Sequence, residues 1–203
     1  MPSDTWWNLD PRKREDILTA AVAEFAVHHY EDASLSALVK HVGIAKGSMY
    51  QYFTDKRELY DYLLHYAHET LQRAIVAEMP HHLTPQSDMF AILRAYLYAI
   101  GAVTHAYPLL TQLVNRSLHD THAGAHNAHQ LYERYIITFA HELVESAVQD
   151  RSLRHDVRPE GVVFLLLQVI RGVMQQPARA QDTALLDELV VLLDQGLRYR
   201  MRQ

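Results

Sequence analysis

Cysteine is absent from this chain of 203 residues, which excludes disulfide bonds, thiolate metal sites and cysteine nucleophiles. That composition is typical of a reducing compartment, and we expect a cytoplasmic protein. The sequence also lacks any stretch approaching the roughly 20 apolar residues that span a bilayer. Its start lacks the cationic and apolar regions of a signal peptide. We therefore expect no membrane partner.

Glycine and proline are scarce, with seven residues of each. Apolar residues recur instead at spacings of three and four, and strand-like alternation is missing. The hydrophobic content of 49% is sufficient for a core. These patterns predict an all-α protein of about nine helices, in which three N-terminal helices precede a larger C-terminal helical bundle.

The formal net charge of -5 argues against a protein that coats nucleic acid nonspecifically. Positive charge is concentrated locally, since residues 40–57 carry four basic side chains and one acidic side chain, giving 4 - 1 = +3. Residues 1–57 as a whole carry seven basic and eight acidic residues. The distribution predicts a narrow positive face and a small DNA footprint.

Residues 34–57 have the pattern of two short helices joined by a glycine turn. Ser34 is a candidate N-cap, and Gly43 supplies the backbone freedom needed to end one helix before Ala45 starts the next. A second helix held in this way can enter the major groove of DNA. We therefore assign residues 1–57 to the helix-turn-helix domain.

Further helices are predicted from capping residues and apolar spacing. The first helix should begin at Pro11 after Asp10, and a linking helix over about 55–78 should follow the N-cap Asp55. Residues 79–203 are assigned to the C-terminal domain. Its predicted helices cover about 87–105, 108–118 and 125–150, followed by a final pair around 162–170 and 185–193.

The final helix pair is apolar on several sides, which is typical of helices buried on several sides. It could form the core of a monomer, but we favour a homodimer in which the pair and its copy make a four-helix interface. Gly161 and Gly172 would allow close backbone approach there, unless they mark a helix end or a kink. The predicted interface residues are Val163, Leu166, Leu167, Ile170, Leu186, Leu189, Val190, Leu193 and Leu197.

The run from Gly43 to Phe53, GIAKGSMYQYF, followed by Asp55 and Lys56, resembles the signature of the TetR family of bacterial transcriptional regulators. The resemblance covers about residues 11–64. Two positions depart from the family pattern, since His29 replaces a glycine and Lys40 replaces a small residue. The resemblance implies a regulator, most often a repressor, that binds a palindromic double-stranded DNA operator as a homodimer and is released by a small-molecule effector.

The predicted DNA contacts combine this resemblance with side-chain chemistry. Lys46 can reach guanine or phosphate, and Gln51 and Ser48 are candidates for hydrogen bonds to base edges. Lys56 resembles the family's phosphate-contacting lysine, whereas the tyrosines can donate hydroxyls to phosphates or pack in the core. The predicted DNA-binding residues are Ser34, Ala45, Lys46, Gly47, Ser48, Tyr50, Gln51, Tyr52 and Lys56.

The resemblance also implies that the C-terminal domain encloses a cavity for an effector. Few acidic residues interrupt the apolar stripes, which favours a small, largely apolar molecule over a multiply charged cation. Taken one at a time, candidate wall residues are more often plain core than ligand contacts. These candidates are Tyr66, Phe90, Leu93, Tyr96, Leu110, Leu113, Tyr132, Tyr135, Phe139, Phe164 and Gln168.

Two alternatives come from other features. His119, His122, His126 and His129 are spaced three, four and three apart, so a metal- or pH-responsive regulator is conceivable. Because Gly124 should interrupt the helix and no cysteine converges there, we expect surface histidines, with no metal and no cofactor. A helical enzyme is the other rival, but the sequence has no nucleophile elbow, phosphate-binding glycine loop or HExxH motif.

Trp6 and Trp7 precede the first predicted helix. They could cover a hydrophobic edge of the DNA-binding domain, contact DNA or be disordered. The sequence alone leaves these three roles open.

Overall fold

The computed structural model describes residues 2–84, 87–120 and 123–199, and it describes only the backbone of residues 123–128, 131 and 132. Within these ranges there are eleven helices and no strand, which confirms the all-α prediction. Two of the eleven, α1 and α10, are four-residue helices that the sequence patterns did not predict. The helices are α1 Asp4–Trp7, α2 Pro11–Val27, α3 Leu35–Val42, α4 Lys46–Tyr52, α5 Lys56–Glu78, α6 Met89–Ala106, α7 Pro108–Ser117, α8 Ala123–Gln149, α9 Pro159–Met174, α10 Pro177–Ala180 and α11 Thr183–Leu197.

The predicted capping residues begin helices α2 and α3. The Asp10 carboxylate accepts hydrogen bonds from the amides of Arg12 and Lys13, at 3.0 and 3.2 Å. The Ser34 hydroxyl accepts from the Ala37 amide at 3.2 Å. These contacts satisfy amides that have no partner inside the helix.

Gly43 ends α3 with a φ of 74°, a left-handed conformation that strains any residue with a side chain. The chain therefore turns sharply between α3 and α4, as predicted. At the start of α5, the Asp55 carboxylate accepts from the Glu58 amide at 2.8 Å. The Glu58 carboxylate in turn accepts from the Thr54 amide at 2.6 Å, so the predicted cap is reinforced from both sides.

The chain forms two compact units. Unit 1 comprises residues 1–71 and 107–131, and unit 2 comprises residues 72–106 and 132–203. The sequence-based division at residue 79 placed α7 in the C-terminal domain, but α7 packs against α2 in unit 1. A hydrogen bond of 2.9 Å from Arg116 Nε to the Ala26 carbonyl joins these two helices.

Unit 2 is built around α6, which packs against α9, α10 and α11. A Cβ at Gly101 would lie 2.2 Å from the Ala180 carbonyl oxygen, so α6 and α10 can approach this closely only at glycine. By length and composition α6 could cross a membrane, with a mean hydropathy of 1.3 over 18 residues. That corrects the expectation that no such stretch exists. Its central packing in unit 2, with more than half of the helix buried, accounts for its apolar character.

The side chains predicted to meet a partner subunit are mostly buried within unit 2 itself. Leu189 and Leu197 are partly exposed, but the other seven are buried: Val163, Leu166, Leu167, Ile170, Leu186, Val190 and Leu193. These seven side chains are buried in the single chain, in which α9 and α11 pack against α6, so they are not free to meet a partner subunit there. The opposite faces carry exposed apolar side chains, with Phe164 65% and Leu192 59% exposed.

Candidate nucleic-acid interface

The two faces of α4 differ sharply in exposure. Met49 and Tyr52 point into the domain and are buried, as is Phe53 directly after the helix. Lys46, Gly47, Tyr50 and Gln51 are exposed, and Ser48 is half-buried. The apolar face of this two-turn helix thus anchors it, and its polar face is available to a ligand.

Tyr52 was predicted to contact phosphate, but its side chain lies in the interior of the domain. Its side chain is only 4% exposed, and its ring centroid lies 5.9 Å from that of Trp6. Because Tyr52 follows Met49 by three residues, it shares the buried face of the helix. Tyr50, two residues earlier, lies on the exposed face and is the tyrosine that can reach a phosphate.

No carboxylate lies within α4, and its N-cap, Ala45, is exposed and has no side chain that could occupy the first-turn amides. The end of α4 that carries Lys46 is therefore suited to an anion by both charge and helix dipole. Ser34 is exposed as well. Its hydroxyl caps α3, while its amide donates to Glu24 Oε1 at 2.7 Å.

Lys56 is held in place by two contacts. Its Nζ donates to the Glu31 carbonyl at 3.0 Å and lies 4.8 Å from the centroid of the Tyr30 ring. An ammonium group has three N–H donors, so one bond to Glu31 leaves donors for a phosphate. The contact fixes the first turn of α5 against the loop between α2 and α3.

Trp6 and Ser3 also belong to this region, although no sequence pattern indicated their role. Trp6 is completely buried, with its ring 5.0 Å from Phe53 and 5.7 Å from Tyr62 between centroids. Of the three roles left open, Trp6 therefore covers a hydrophobic edge of the domain. Trp7 is 51% exposed, and the Arg14 guanidinium lies 5.9 Å from its ring.

The predicted effector residues are divided between the two units. In unit 2, Phe90, Leu93 and Tyr96 are buried on α6, and the Tyr96 ring stacks on Phe139 at 4.0 Å between centroids. Phe139 also lines an open cleft of about 200 Å³. The other residues of this cleft are Met79, Pro80, Leu83, Thr84, Ile92, Glu142 and Leu143.

The remaining predicted wall residues lie elsewhere. Tyr66, Leu110 and Leu113 belong to unit 1. Tyr135, Phe164 and Gln168 are exposed on outward faces of α8 and α9. They therefore do not line an interior wall of the chain, which corrects the prediction. The side chain of Tyr132 is outside the described set.

Two of the four regularly spaced histidines, His119 and His129, have described side chains. His122 and the side chain of His126 lie outside the described residues. Gly124 is helical within α8 and does not interrupt it, contrary to expectation. His119 is exposed, whereas His129 Nε2 lies 3.0 Å from Ser117 Oγ and the His129 ring lies 5.3 Å from that of His68. No group of three potential metal ligands occurs in the described part of the chain.

His68 gives unit 1 a pH dependence that can be measured. Burial, together with the nearby imidazoles of His129 and His65, lowers the pKa of His68 from 6.5 to about 3. Because the unfolded chain binds the proton more readily, stability is lost as the pH falls below 6.5. At pH 5.5 this loss is about 1.4 kcal/mol of unfolding free energy for one group.

We expect His68→Leu to reduce the difference in unfolding free energy between pH 7.5 and pH 5.5 by about that amount. Denaturant titrations at the two pH values measure it. His105→Gln, at an exposed position, should keep the wild-type difference. An equal pH dependence in His68→Leu would show that another group is responsible.

Comparison with known proteins places this geometry in context. Residues 17–63 match the sequence profile of bacterial regulatory proteins of the tetR family. A TetR family transcriptional regulator from Chloroflexus aurantiacus J-10-FL is 26% identical with a TM-score of 0.77, and the match covers 98% of this chain and 100% of that one. The fatty acid degradation regulator FadR from Bacillus halodurans is 20% identical with a TM-score of 0.72, covering 95% and 100%.

A relative known from sequence is similar over a shorter span. The uncharacterized HTH-type transcriptional regulator YhgD of Bacillus subtilis (strain 168) is 21% identical over 157 residues. The match covers 77% of this chain and 80% of that protein. The profile match, residues 17–63, includes α3 and α4 entirely, so it falls on the segment whose polar face is exposed.

Proposed function

We propose that the chain is a regulator of the TetR family of bacterial regulatory proteins, whose profile matches residues 17–63, and that it is a repressor that leaves a palindromic operator when a small, largely apolar molecule binds. We propose no enzymatic activity.

The exposure pattern of α4 carries the proposal. A helix anchored through Met49 and Tyr52 can present Lys46, Tyr50 and Gln51 to a duplex without unfolding the domain. Lysine and tyrosine supply phosphate contacts, whereas glutamine can make paired hydrogen bonds to adenine in the major groove. The site residues proposed for DNA are thus Ala45, Lys46, Gly47, Ser48, Tyr50, Gln51 and Lys56, with Ser34 as a further exposed candidate.

A homodimer is part of the proposal, because one half-site binds weakly and a two-fold pair aligns two recognition helices about 34 Å apart. The faces of α9 and α11 that pack on α6 are not available, so we place the interface on the opposite faces. These carry Phe164, Leu165, Val191 and Leu192, all of them exposed. A Cβ at Gly161 or Gly172 would meet nothing within 4 Å, which leaves room for a close neighbour.

For the effector we propose the cleft next to the Tyr96–Phe139 stack in unit 2. Its lining is mainly aliphatic and aromatic, and Glu142 and Thr84 are its polar members. A volume of about 200 Å³ suits a compact molecule better than a drug-sized one, since drug-sized ligands occupy about 300–1,000 Å³. The ligand must bind the DNA-incompetent state several-fold more tightly to cause release.

The test of DNA binding uses the purified full chain and the DNA upstream of its own coding sequence. We expect saturable binding at moderate salt to a palindromic or nearly palindromic segment, with weaker binding to a scrambled duplex of equal length. Fluorescence anisotropy with labelled duplexes measures both. Equal affinity for the two duplexes would contradict sequence-specific recognition.

The effector proposal gives a separate prediction. Ile92→Trp should fill part of the cleft and weaken a ligand that raises the melting temperature of the wild type, because Ile92 lines this space. A panel of small apolar compounds, assayed for melting temperature and operator release, identifies such a ligand. Operator affinity without ligand should stay unchanged in the variant. A ligand that acts equally on wild type and Ile92→Trp would place the effector site elsewhere.

A further inference from the structure

The C-terminal end of α4 is held by the segment that precedes α2. The last carbonyls of a helix have no partner within it. Ser3 supplies partners for two of these carbonyls: its hydroxyl donates to the Gln51 carbonyl at 2.6 Å, and its amide donates to the Tyr52 carbonyl at 3.0 Å. One residue near the start of the chain thus closes the end of a helix 48 positions further on.

Trp6 adds an apolar contact to the same end of α4. The short helix α1 carries it from Ser3 into a pocket where its ring lies near Tyr52, Phe53 and Tyr62, and its side chain is 0% exposed. Burying a tryptophan removes a large apolar surface from water. Ser3 and Trp6 therefore hold α4 together, through its backbone and through its buried face.

This arrangement matters because α4 has only seven residues. Helices of that length are not stable by themselves, and their ends fray unless tertiary contacts hold them. Gln51 lies in the last turn, next to the carbonyls that Ser3 occupies. Fraying of that turn would move the side chain proposed to contact base edges.

We propose that the segment 2–8 is a positioning element of the recognition helix, in which Ser3 and Trp6 fix the last turn of α4 and thereby the direction of Gln51. The inference rests on the proposed DNA-binding function for its consequence. The contacts of Ser3 and Trp6 with the end of α4, which we call the clamp, are a property of the free protein. Ser3 and Trp6 are positioning residues and need not touch DNA.

Hydrogen exchange of the free protein tests the clamp without DNA. Ser3→Pro fits the backbone, since Ser3 has a φ of -67°, but removes both donors. Ser3→Ala removes the hydroxyl alone, and Ser3→Thr keeps both donors as a matched control. We expect the amides of the last turn of α4 to exchange about tenfold faster in Ser3→Pro, less so in Ser3→Ala and unchanged in Ser3→Thr.

Peptides from α2 serve as the internal reference. If exchange in α4 stays at the wild-type rate in both Ser3→Pro and Ser3→Ala, the clamp does not exist. If α2 and α4 speed up equally, Ser3 contributes only to the stability of the whole domain, which also overturns the proposal. Neither result depends on whether the protein binds an operator.

The consequence for DNA is tested by combining Ser3→Pro with Gln51→Ala. If Ser3 acts through the last turn, Ser3→Pro should lower operator affinity by about tenfold in the wild type and by less than about threefold when Gln51 is already alanine. Equal losses in both backgrounds would reject positioning of Gln51. Failure of the wild type to bind any operator would instead reject the proposed function. The hydrogen-exchange rates of α4 would still show whether Ser3 stabilises its last turn.

Trp6 and Trp7 offer an adjacent pair with opposite exposure. Trp6→Ala should behave like Ser3→Pro in both assays, whereas Trp7→Ala should have a much smaller effect, because Trp7 is 51% exposed and its ring meets the edge of the cluster at Tyr62, with 6.1 Å between centroids. If Trp7→Ala weakens operator binding while Trp6→Ala leaves it unchanged, the segment contacts DNA directly and does not position α4.

Discussion

Replacing both Lys46 and Lys56 with alanine should weaken operator binding at least about 100-fold at about 0.1 M salt. The slope of log affinity against log salt concentration should fall by about 2 for each half-site, because each lysine that neutralises a phosphate releases about one counterion. Lys46 is fully available on the exposed face of α4. Lys56 is held by Glu31 and Tyr30 next to the start of α5, where the helix dipole also favours an anion.

Arg57→Ala is the matched control for the lysine pair. Arg57 is an exposed cation adjacent to Lys56, but it lines a groove with Trp7 and Tyr62 outside the proposed interface. Its removal should change the affinity by only a few-fold and leave the salt slope nearly unchanged. A slope that is unaltered in the double lysine variant would count against α4 as the DNA-binding face.

Phe164→Glu should convert the proposed dimer into a monomer at micromolar concentration. Phe164 is 65% exposed in the single chain, so the substitution should cost little folding stability. In a dimer that buries this face, two carboxylates would lose water without gaining a partner, at a cost of several kcal/mol. Sedimentation or light scattering measures the mass, and operator affinity should fall together with it.

Val76→Glu controls for the added charge, since Val76 is 61% exposed and lies on α5, which is not part of the proposed interface. It should leave the mass of the particle unchanged. Leu192→Glu, on α11, should reproduce the effect of Phe164→Glu. An unchanged dimer in both Phe164→Glu and Leu192→Glu would place the interface on another surface.

Local chemistry explains why the DNA-binding domain was largely predictable. Helices are capped there by side chains that bond amides two or three residues away, namely those of Asp10, Ser34 and Asp55. Gly43 adopts the left-handed conformation that ends α3. Short stretches of sequence are therefore enough to predict where these helices begin and end. The family resemblance added the function of the segment.

Helix orientation was less predictable, because it depends on distant partners. Periodicity identified α9 and α11 as apolar on several sides, but which side faces α6 follows only from tertiary packing. For the same reason Tyr52 was predicted to contact phosphate, although it is buried against Trp6, 46 positions earlier in the chain. The aromatic pair at positions 6 and 7 was a visible signal, but the cluster with Tyr62 that gives it a role was not.

The association of α7 with α2 is a similar case. Pro108 correctly marked the start of α7, whereas the bond from Arg116 to the carbonyl of Ala26 joins residues 90 positions apart. Because α7 precedes the other predicted C-terminal helices directly in the sequence, it was assigned to the C-terminal domain. The cleft proposed for the effector likewise combines residues of α6 and α8 with the segment after α5, and only Phe139 was among the predicted wall residues.

Selection from a random library of double-stranded DNA tests the central claim most directly, because it assumes no target gene. The exposed face of α4, presented twice, should enrich an inverted repeat whose half-sites lie about one helical turn apart or slightly more. Repeating the selection with Gln51→Ala should relax the preference at one pair of symmetric positions and leave the others unchanged. Enrichment of no motif by the wild type, or of the same motif at the same stringency by both proteins, would contradict the account.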